Sequence, residues 1–350
     1  MATASLVVGT ESSANNDFKI IGESESMLSL RKKIRRVASS KADTVLIHGE
    51  SGAGKELAAQ AIHEWSDRAR DPFVEINCAS IPESLLESEL FGYERGAFTD
   101  AKERKLGLFE VAGHGTVFLD EVGEMPAKLQ AKLLRVIECR RFKRVGGTRD
   151  IEFSGRIVAA TNRHLDEEIN NGLFRADLYY RLNVVPIIVP PLRERRSDVP
   201  LLVEHLLDKI SESLGVERPK VSSDAMMDLT KYPWPGNVRE LKNILQRTII
   251  FHQPKLITPD ILELNPVDHL IAQGGARVVP RGDLKAAPTS QGEFVLPSGG
   301  IDLEDLEKSM LVQALERSRF NQTKAARLLH VTRHTLRYRL EKFGLLAATV

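Results

Sequence analysis

Residues 44–63 constrain this chain more than any other stretch. Thr44-Val45-Leu46-Ile47-His48 is apolar and β-branched, the pattern of a buried strand. Gly49-Glu50-Ser51-Gly52-Ala53-Gly54-Lys55 follows, fitting G-x-x-x-x-G-K. Glu56-Leu57-Ala58-Ala59-Gln60-Ala61-Ile62-His63 is then a run of strong helix formers. Strand, glycine loop and helix in immediate succession make an anion cradle. Glycines let backbone N–H groups turn toward a phosphate, and the helix N-terminus adds its dipole. Lys55 supplies a point charge for the β and γ phosphates of a nucleotide. Glu56 stands where many such loops place a Ser or Thr that holds Mg²⁺.

Further along, Gly115-Thr116-Val117-Phe118-Leu119-Asp120-Glu121 reads as a second buried strand, ending in two acids. An Asp there can hold the Mg²⁺ of a bound nucleotide, and the adjacent Glu can act as general base toward the attacking water. Phe73-Val74-Glu75-Ile76-Asn77-Cys78 alternates like a strand. Asn77 at its end is either a strand-end cap or a contact to a catalytic group. Arg156 to Thr161 is another apolar strand, closed by Thr161 and Asn162. Buried strands alternating with helices (26–38, 85–92 and 128–138) indicate a parallel sheet covered on both faces, an α/β fold. Leu28, Ile34 and Val37 are the expected core positions of the first helix. Upstream of the loop, Ile20 and Ile21 are candidates for an adenine pocket or for plain core.

Two surface features carry chemistry of another kind. Gly96-Ala97-Phe98-Thr99-Asp100-Ala101 lies among Glu94, Arg95, Lys102, Glu103, Arg104 and Lys105. It reads as a loop tip whose aromatic residue marks an interface. Arg175 and Arg181, six apart, cannot share one helix face. Each is either a surface charge or an arginine that reaches a neighbouring subunit's γ-phosphate.

Pro186, Pro190 and Pro191 mark a boundary, and 192–264 reads as helical. Asn237, three before Glu240, resembles a capping box. Arg239 in that first helical turn puts a cation where the dipole disfavours it, which points to an anionic partner. Residues 266–299 are crowded with Gly, Pro and Ser, as in a flexible linker. Leu303, Leu306, Met310, Leu311 and Leu315 then form an apolar stripe. Asn321–Leu329 and Thr332–Leu340, joined by a short turn, read as helix-turn-helix. From Arg317 to Lys342 there are eight Lys or Arg and one acid, a net of 8 − 1 = +7, within a chain whose net charge is +1. A local basic patch on such a motif indicates double-stranded DNA binding.

Composition excludes other classes. Two cysteines, Cys78 and Cys139, without C-x-x-C spacing, indicate thiols in a reducing cytosol. No apolar run reaches membrane-span length, and the first residues have no secretion signal, so the expectation is a cytoplasmic protein.

Taken together and in this order, these motifs resemble the bacterial enhancer-binding proteins, the AAA+ activators of sigma-54 RNA polymerase. The resemblance spans about residues 18–344. It makes Glu56 ordinary, because that family usually carries Glu after the loop lysine. It implies an AAA+ P-loop ATPase at 18–191 with an α-helical lid at 192–265, a disordered N-terminus at 1–17, the linker at 266–299 and a DNA-binding domain at 300–350.

The resemblance also assigns roles: Lys55 as Walker A lysine, Asp120 and Glu121 as the Walker B pair, and Asn77 as the residue that idles the catalytic glutamate. Thr161 and Asn162 match sensor I, Arg175 and Arg181 the arginine fingers, and Arg239 sensor II. ATP with Mg²⁺ is the implied ligand, held by Ile20, Ile21, Gly49 to Glu56, Asp120, Asn162 and Arg239. Phe98, Thr99 and Asp100 match the sigma-54-contacting loop. Asp100 departs from the usual Gly, adding charge and restricting the backbone. Thr332, Arg333, His334, Thr335, Arg337, Tyr338 and Arg339 are the expected DNA readers.

The implied assembly is a homo-oligomer, a hexameric ring tethered to enhancer DNA. With no room before residue 18 for a sensory domain, control is expected to come from a regulatory protein, from expression level, or not at all. The alternative reading, resting on Asp100, is a DNA-binding repressor or antiactivator that does not engage sigma-54.

Overall fold

The computed structural model describes residues 20–99, 101–264, 310–315, 317, 318, 325, 326, 329, 335, 336, 339 and 340. The N-terminal segment 1–17, the linker 266–299, Leu303 and Leu306 lie outside them. The chain divides into two compact units, Met1–Ala276 and Arg277–Val350.

In the first unit the order is α1 (Glu25–Ala38), β1 (Thr44–His48), α2 (Lys55–Glu64), β2 (Phe73–Asn77), α3 (Glu83–Phe91), α4 (Leu108–Ala112), β3 (Thr116–Asp120), α5 (Ala127–Cys139), β4 (Arg141–Phe142), β5 (Ile151–Glu152), β6 (Arg156–Thr161), α6 (Leu165–Asn170), α7 (Ala176–Leu182) and β7 (Pro186–Ile188). Five strands form one parallel sheet, ordered β2-β3-β6-β1-β7. Alternation within each strand sends side chains to two cores. Leu46, Ile76, Leu119 and Ala159 pack on the α3–α5 and α7 side, whereas Val45, Ile47, Phe118 and Val158 pack against α1 and α2. Both faces are buried, so the strands are apolar throughout and all carboxyl ends open on one edge. That edge is where ligands bind in open parallel sheets.

The remaining helices, α8 (Val199–Leu214), α9 (Ser223–Lys231) and α10 (Asn237–His252), surround a separate core built on Trp234, Leu229, Leu241 and Leu245. Trp234 is fully buried, and its indole Nε1 donates to Leu229 O at 2.8 Å. The strand pair β8 (Lys220–Val221) and β9 (Leu256–Ile257) closes this bundle. Asp198, fully buried, fastens it to the sheet unit by accepting from Glu23 N, Ser24 N and Ser24 Oγ at 2.7, 2.8 and 2.6 Å. In the second unit Leu311, Ala314, Leu315, Ala325, Ala326, Leu336 and Leu340 make a small core.

Four expectations change. In α1 the buried residues are Met27, Leu30, Ile34, Val37 and Ala38, which lie along one side of the helix, while Leu28 is exposed outside that stripe. Met310 is likewise exposed beside buried Leu311. Pro186 opens β7 rather than a linker. As the first residue of an edge strand, it needs no ladder donor. Gly236, not Asn237, caps α10. Glu240 Oε2 accepts from Gly236 N at 2.9 Å, and the Asn237 side chain turns to other partners.

Truncating Trp234 to Ala should cost about 3–5 kcal/mol in denaturant unfolding of the full chain, as expected for deleting a large buried aromatic. A loss below about 1 kcal/mol would mean that this bundle does not depend on the indole.

Candidate functional site

The loop after β1 and the end of β3 meet at the carboxyl edge of the sheet. Gly54 takes φ +107, a conformation open to glycine, and delivers Lys55 as the first residue of α2. Lys55 is buried. Its Nζ donates to Gly49 O and Glu50 O at 3.1 and 3.4 Å and lies 3.3 Å from Glu121 Oε1. Glu121 itself sits in the left-handed region at φ +51, which costs a non-glycine residue about 1–2 kcal/mol. The turn swings its carboxylate back over the strand ends, where Oε2 accepts from Asn162 N at 3.2 Å. Thr161 is buried, and its carbonyl accepts from Gly49 N at 3.3 Å, tying β6 to the loop. Burial first, and then the neighbouring Glu121, push the Asp120 carboxyl above its ordinary value.

The structure brings Gly49–Lys55, Asp120, Glu121, Thr161 and Asn162 together, but it pairs Asn77 differently from expectation. Asn77 Nδ2 donates to Asp120 Oδ2 at 3.2 Å, and its Oδ1 caps the following turn by accepting from Ala79 N and Ser80 N. Its partner is Asp120, opposite it in the β2–β3 register, rather than Glu121. Glu56 is exposed and accepts from Gln60 Nε2 at 3.1 Å. Ile20 packs on the sheet core and Ile21 on the bundle core, so the two span the junction. Arg175 and Arg181 lie outside this cluster, on the surface, where Arg175 pairs with Asp177 and Arg181 with Glu138 at 2.7 and 2.9 Å.

Sequence reasoning missed the back of the loop. Arg193 forms a fork with Glu50, Nη1 to Oε2 at 2.7 Å and Nη2 to Oε1 at 2.6 Å, and this holds the Glu50 carboxyl below its usual range. Arg239 Nη1 donates to Ser51 Oγ at 2.8 Å, so the misplaced cation does meet the loop. Arg195 Nη2 donates to Ala53 O at 2.8 Å. The available signal was the run Arg193-Glu194-Arg195-Arg196 directly after the prolines, dense in cations with little to pair them locally.

Phe98 stands 45% exposed at a loop tip, edge-on to Tyr93 at 4.8 Å. The loop closes through Gly96 N to Ala101 O at 2.8 Å, and Thr99 is exposed beside Phe98. It rests on the β4–β5 hairpin, where Val145 O accepts from Glu94 N at 3.1 Å. Arg144 joins the two by pairing with both Glu94 and Glu110. Asp100, Thr332, Arg333, His334, Arg337 and Tyr338 lie outside the described residues. Thr335 and Arg339 are both part-buried, beside buried Leu336 and Leu340.

A glycine loop at a central strand, an acid pair at the next strand but one, and a helical lid over the loop define an AAA+ nucleotide-binding protein. Comparison with known proteins narrows this. Residues 20–188 match the sigma-54 interaction domain, 193–270 the AAA+ ATPase lid domain, and 302–343 the bacterial regulatory proteins of the Fis family.

Among curated proteins, the chain is 44% identical over 331 residues to the regulatory protein AtoC of Escherichia coli K12, covering 95% of this chain and 69% of that one. It is 41% identical over 347 residues to the transcriptional regulator NtrC of Rhizobium meliloti, covering 95% and 71%. Among solved structures, NtrX from Brucella abortus in complex with ADP superposes with a TM-score of 0.69 at 35% identity, covering 95% of this chain and 70% of that one. The chain belongs to the sigma-54-dependent transcriptional activators and carries their Fis-type DNA-binding domain. Among the described residues, no helix is long and apolar enough to cross a membrane.

The raised Asp120 carboxyl gives a test. A carboxylate whose folded pKa lies above its unfolded value opposes folding once ionised, and the penalty grows as pH rises through the folded pKa. Asp120→Asn should therefore raise the melting temperature of the nucleotide-free chain at pH 7, and the gain should vanish toward pH 4. A lower melting temperature at pH 7 would show that the hydrogen bonds from Asn77 Nδ2 and Glu121 N outweigh the cost of burying the charge.

Proposed function

We propose that the chain binds ATP with Mg²⁺ and hydrolyses it in a ring of copies of itself, six in number, that remodels sigma-54 RNA polymerase while the C-terminal domain holds enhancer DNA. The observation that carries the catalytic part is the placement of Asp120 and Glu121 beside the buried Lys55 ammonium, 3.3 Å from Glu121.

Lys55 and the loop N–H groups bind the phosphates. Among the described residues, no group of three or more His, Cys, Asp or Glu could hold a metal alone. Mg²⁺ takes one or two carboxylates and completes its shell with phosphate oxygens and water. Asp120, desolvated and crowded by Glu121, is a carboxylate that a cation would relieve. The ion would neutralise charge on the phosphates. Glu121 accepts the proton of the attacking water, and Asn162, through its N–H to Glu121, orients that carboxylate. Arg239, now on Ser51, is free to move to an anion. Ile20 and Ile21, at the junction of sheet and bundle, flank the base.

Arg175 and Arg181 serve the site of the neighbouring copy. Their exposure, at the start and near the end of a short helix, supports a role in trans. Phe98, Thr99 and Asp100 make the sigma-54 contact, in keeping with an aromatic left exposed at a braced loop tip. Thr332, Arg333, His334, Thr335, Arg337, Tyr338 and Arg339 read DNA, as their basic charge and helix-turn-helix pattern support. A second protein can supply regulation.

Two measurements check this. Glu121→Gln should retain ATP and slow hydrolysis by about 10²–10⁴-fold, the usual size of a lost general base. Near-normal turnover would remove Glu121 from that role. With an ADP–metal-fluoride complex in place, the full chain should capture sigma-54, and Phe98→Ala should lose capture while keeping ATP hydrolysis. Undiminished capture by Phe98→Ala would move the contact elsewhere.

A further inference from the structure

The lid touches the phosphate loop at four successive residues, always on the side that carries side chains and carbonyl oxygens. Glu50 is held by Arg193, Ser51 O by Asn237 Nδ2 at 3.0 Å, Gly52 O by Val238 N at 3.1 Å and Ala53 O by Arg195. In a trans peptide the C=O and the following N–H point in opposite directions. Fixing Ser51 O therefore turns Gly52 N–H to the far side, and fixing Ala53 O does the same for Gly54 N–H. The grip on the carbonyls aims the donors.

Asn237 is the centre of this grip. It is fully buried and adopts φ +54, a conformation that costs a side-chain-bearing residue about 1–2 kcal/mol. Its amide is fully used. Nδ2 donates to Glu50 Oε2 at 3.1 Å as well as to Ser51 O, and Oδ1 accepts from Leu192 N at 2.7 Å. One side chain thus joins the loop, the entry to the lid and the first turn of α10. The approach is close enough that a Cβ on Gly52 would come within 2.3 Å of Gly236 O. Arg195 is almost fully buried, and its Nε finds no acceptor.

We infer that Arg193 and Asn237 are positioning residues for the phosphate loop, holding it through Glu50 and Ser51 in the shape that receives the nucleotide's phosphates. Glu50 then acts toward the lid and not toward the nucleotide. Through these contacts the shape of the loop, and with it phosphate affinity, depends on where the lid stands. This rests on the nucleotide-binding reading above and adds to it the residues that set the affinity.

The test is the dissociation constant of a fluorescent ADP analogue with Mg²⁺ on the full chain, measured beside the melting temperature of the nucleotide-free protein. Arg193→Ala should weaken binding by about three- to tenfold, a range suited to a half-exposed charged hydrogen bond. Glu50→Gln should do the same. The double variant should be no worse than the weaker single, because both remove one fork. Arg193→Lys should fail to restore binding, since an ammonium cannot make the fork. Asn237→Gly keeps the left-handed backbone but leaves Leu192 N unpaired, so it should weaken binding and lower the melting temperature, whereas Arg193→Ala should weaken binding while the melting temperature holds. Arg193→Ala binding within twofold of the unmodified chain, or a double variant equal to the product of the singles, would overturn the inference. An unmodified chain that binds no ADP would instead overturn the proposed function.

Discussion

A buried ammonium at the open edge of the sheet sets the terms for everything around it. Lys55 has lost its water, and a charge taken out of water has to be paired. Its partners are two loop carbonyls and the Glu121 carboxylate. That carboxylate comes from β3, which is not adjacent to β1. Strand β6 lies between them and supplies the Asn162 N–H that completes the bridge. The ion pair therefore requires the β3-β6-β1 order and the left-handed turn at Glu121. A phosphate arriving at the loop would compete with Glu121 for the same ammonium.

The lid answers a second constraint. A loop rich in glycine has no conformation of its own to defend. Here its shape is imposed from behind by Arg193, Arg195 and Asn237, residues 142 to 187 positions away in sequence. The front, where N–H groups gather, is left to the ligand. The two sides of the loop are thus held by different parts of the fold.

This division explains what could be read from the chain. Strands β1, β3 and β6 were legible because a strand buried on both faces is apolar throughout, and each ends in polar residues where the sheet opens. The acid pair and glycine loop were legible because their residue types are dictated by chemistry. Strand β7 was not, since Pro186 is a breaker everywhere but the start of an edge strand. Asn237 was misread because spacing to Glu240 fits a cap in two registers, and only the tertiary contact to Glu50 decides between them. Leu28 was assigned to the core, whereas the stripe that packs runs through Met27, Leu30, Ile34 and Val37.

The same acid pair also lies at one end of a braced path toward the surface. Helix α4 leads through Gly113 and Gly115 into β3, whose last residue is Asp120. On α4, Glu110 is paired with Arg144, and Arg144 is paired with Glu94 at the root of the Phe98 loop. Arg144 and Glu110 are nearly buried, so their pairing resists screening and cannot be exchanged cheaply for water. Glu110 and Arg144 thus tie the helix that leads into β3 to the base of the Phe98 loop. Arg175 and Arg181, by contrast, hold their carboxylate partners at the exposed surface.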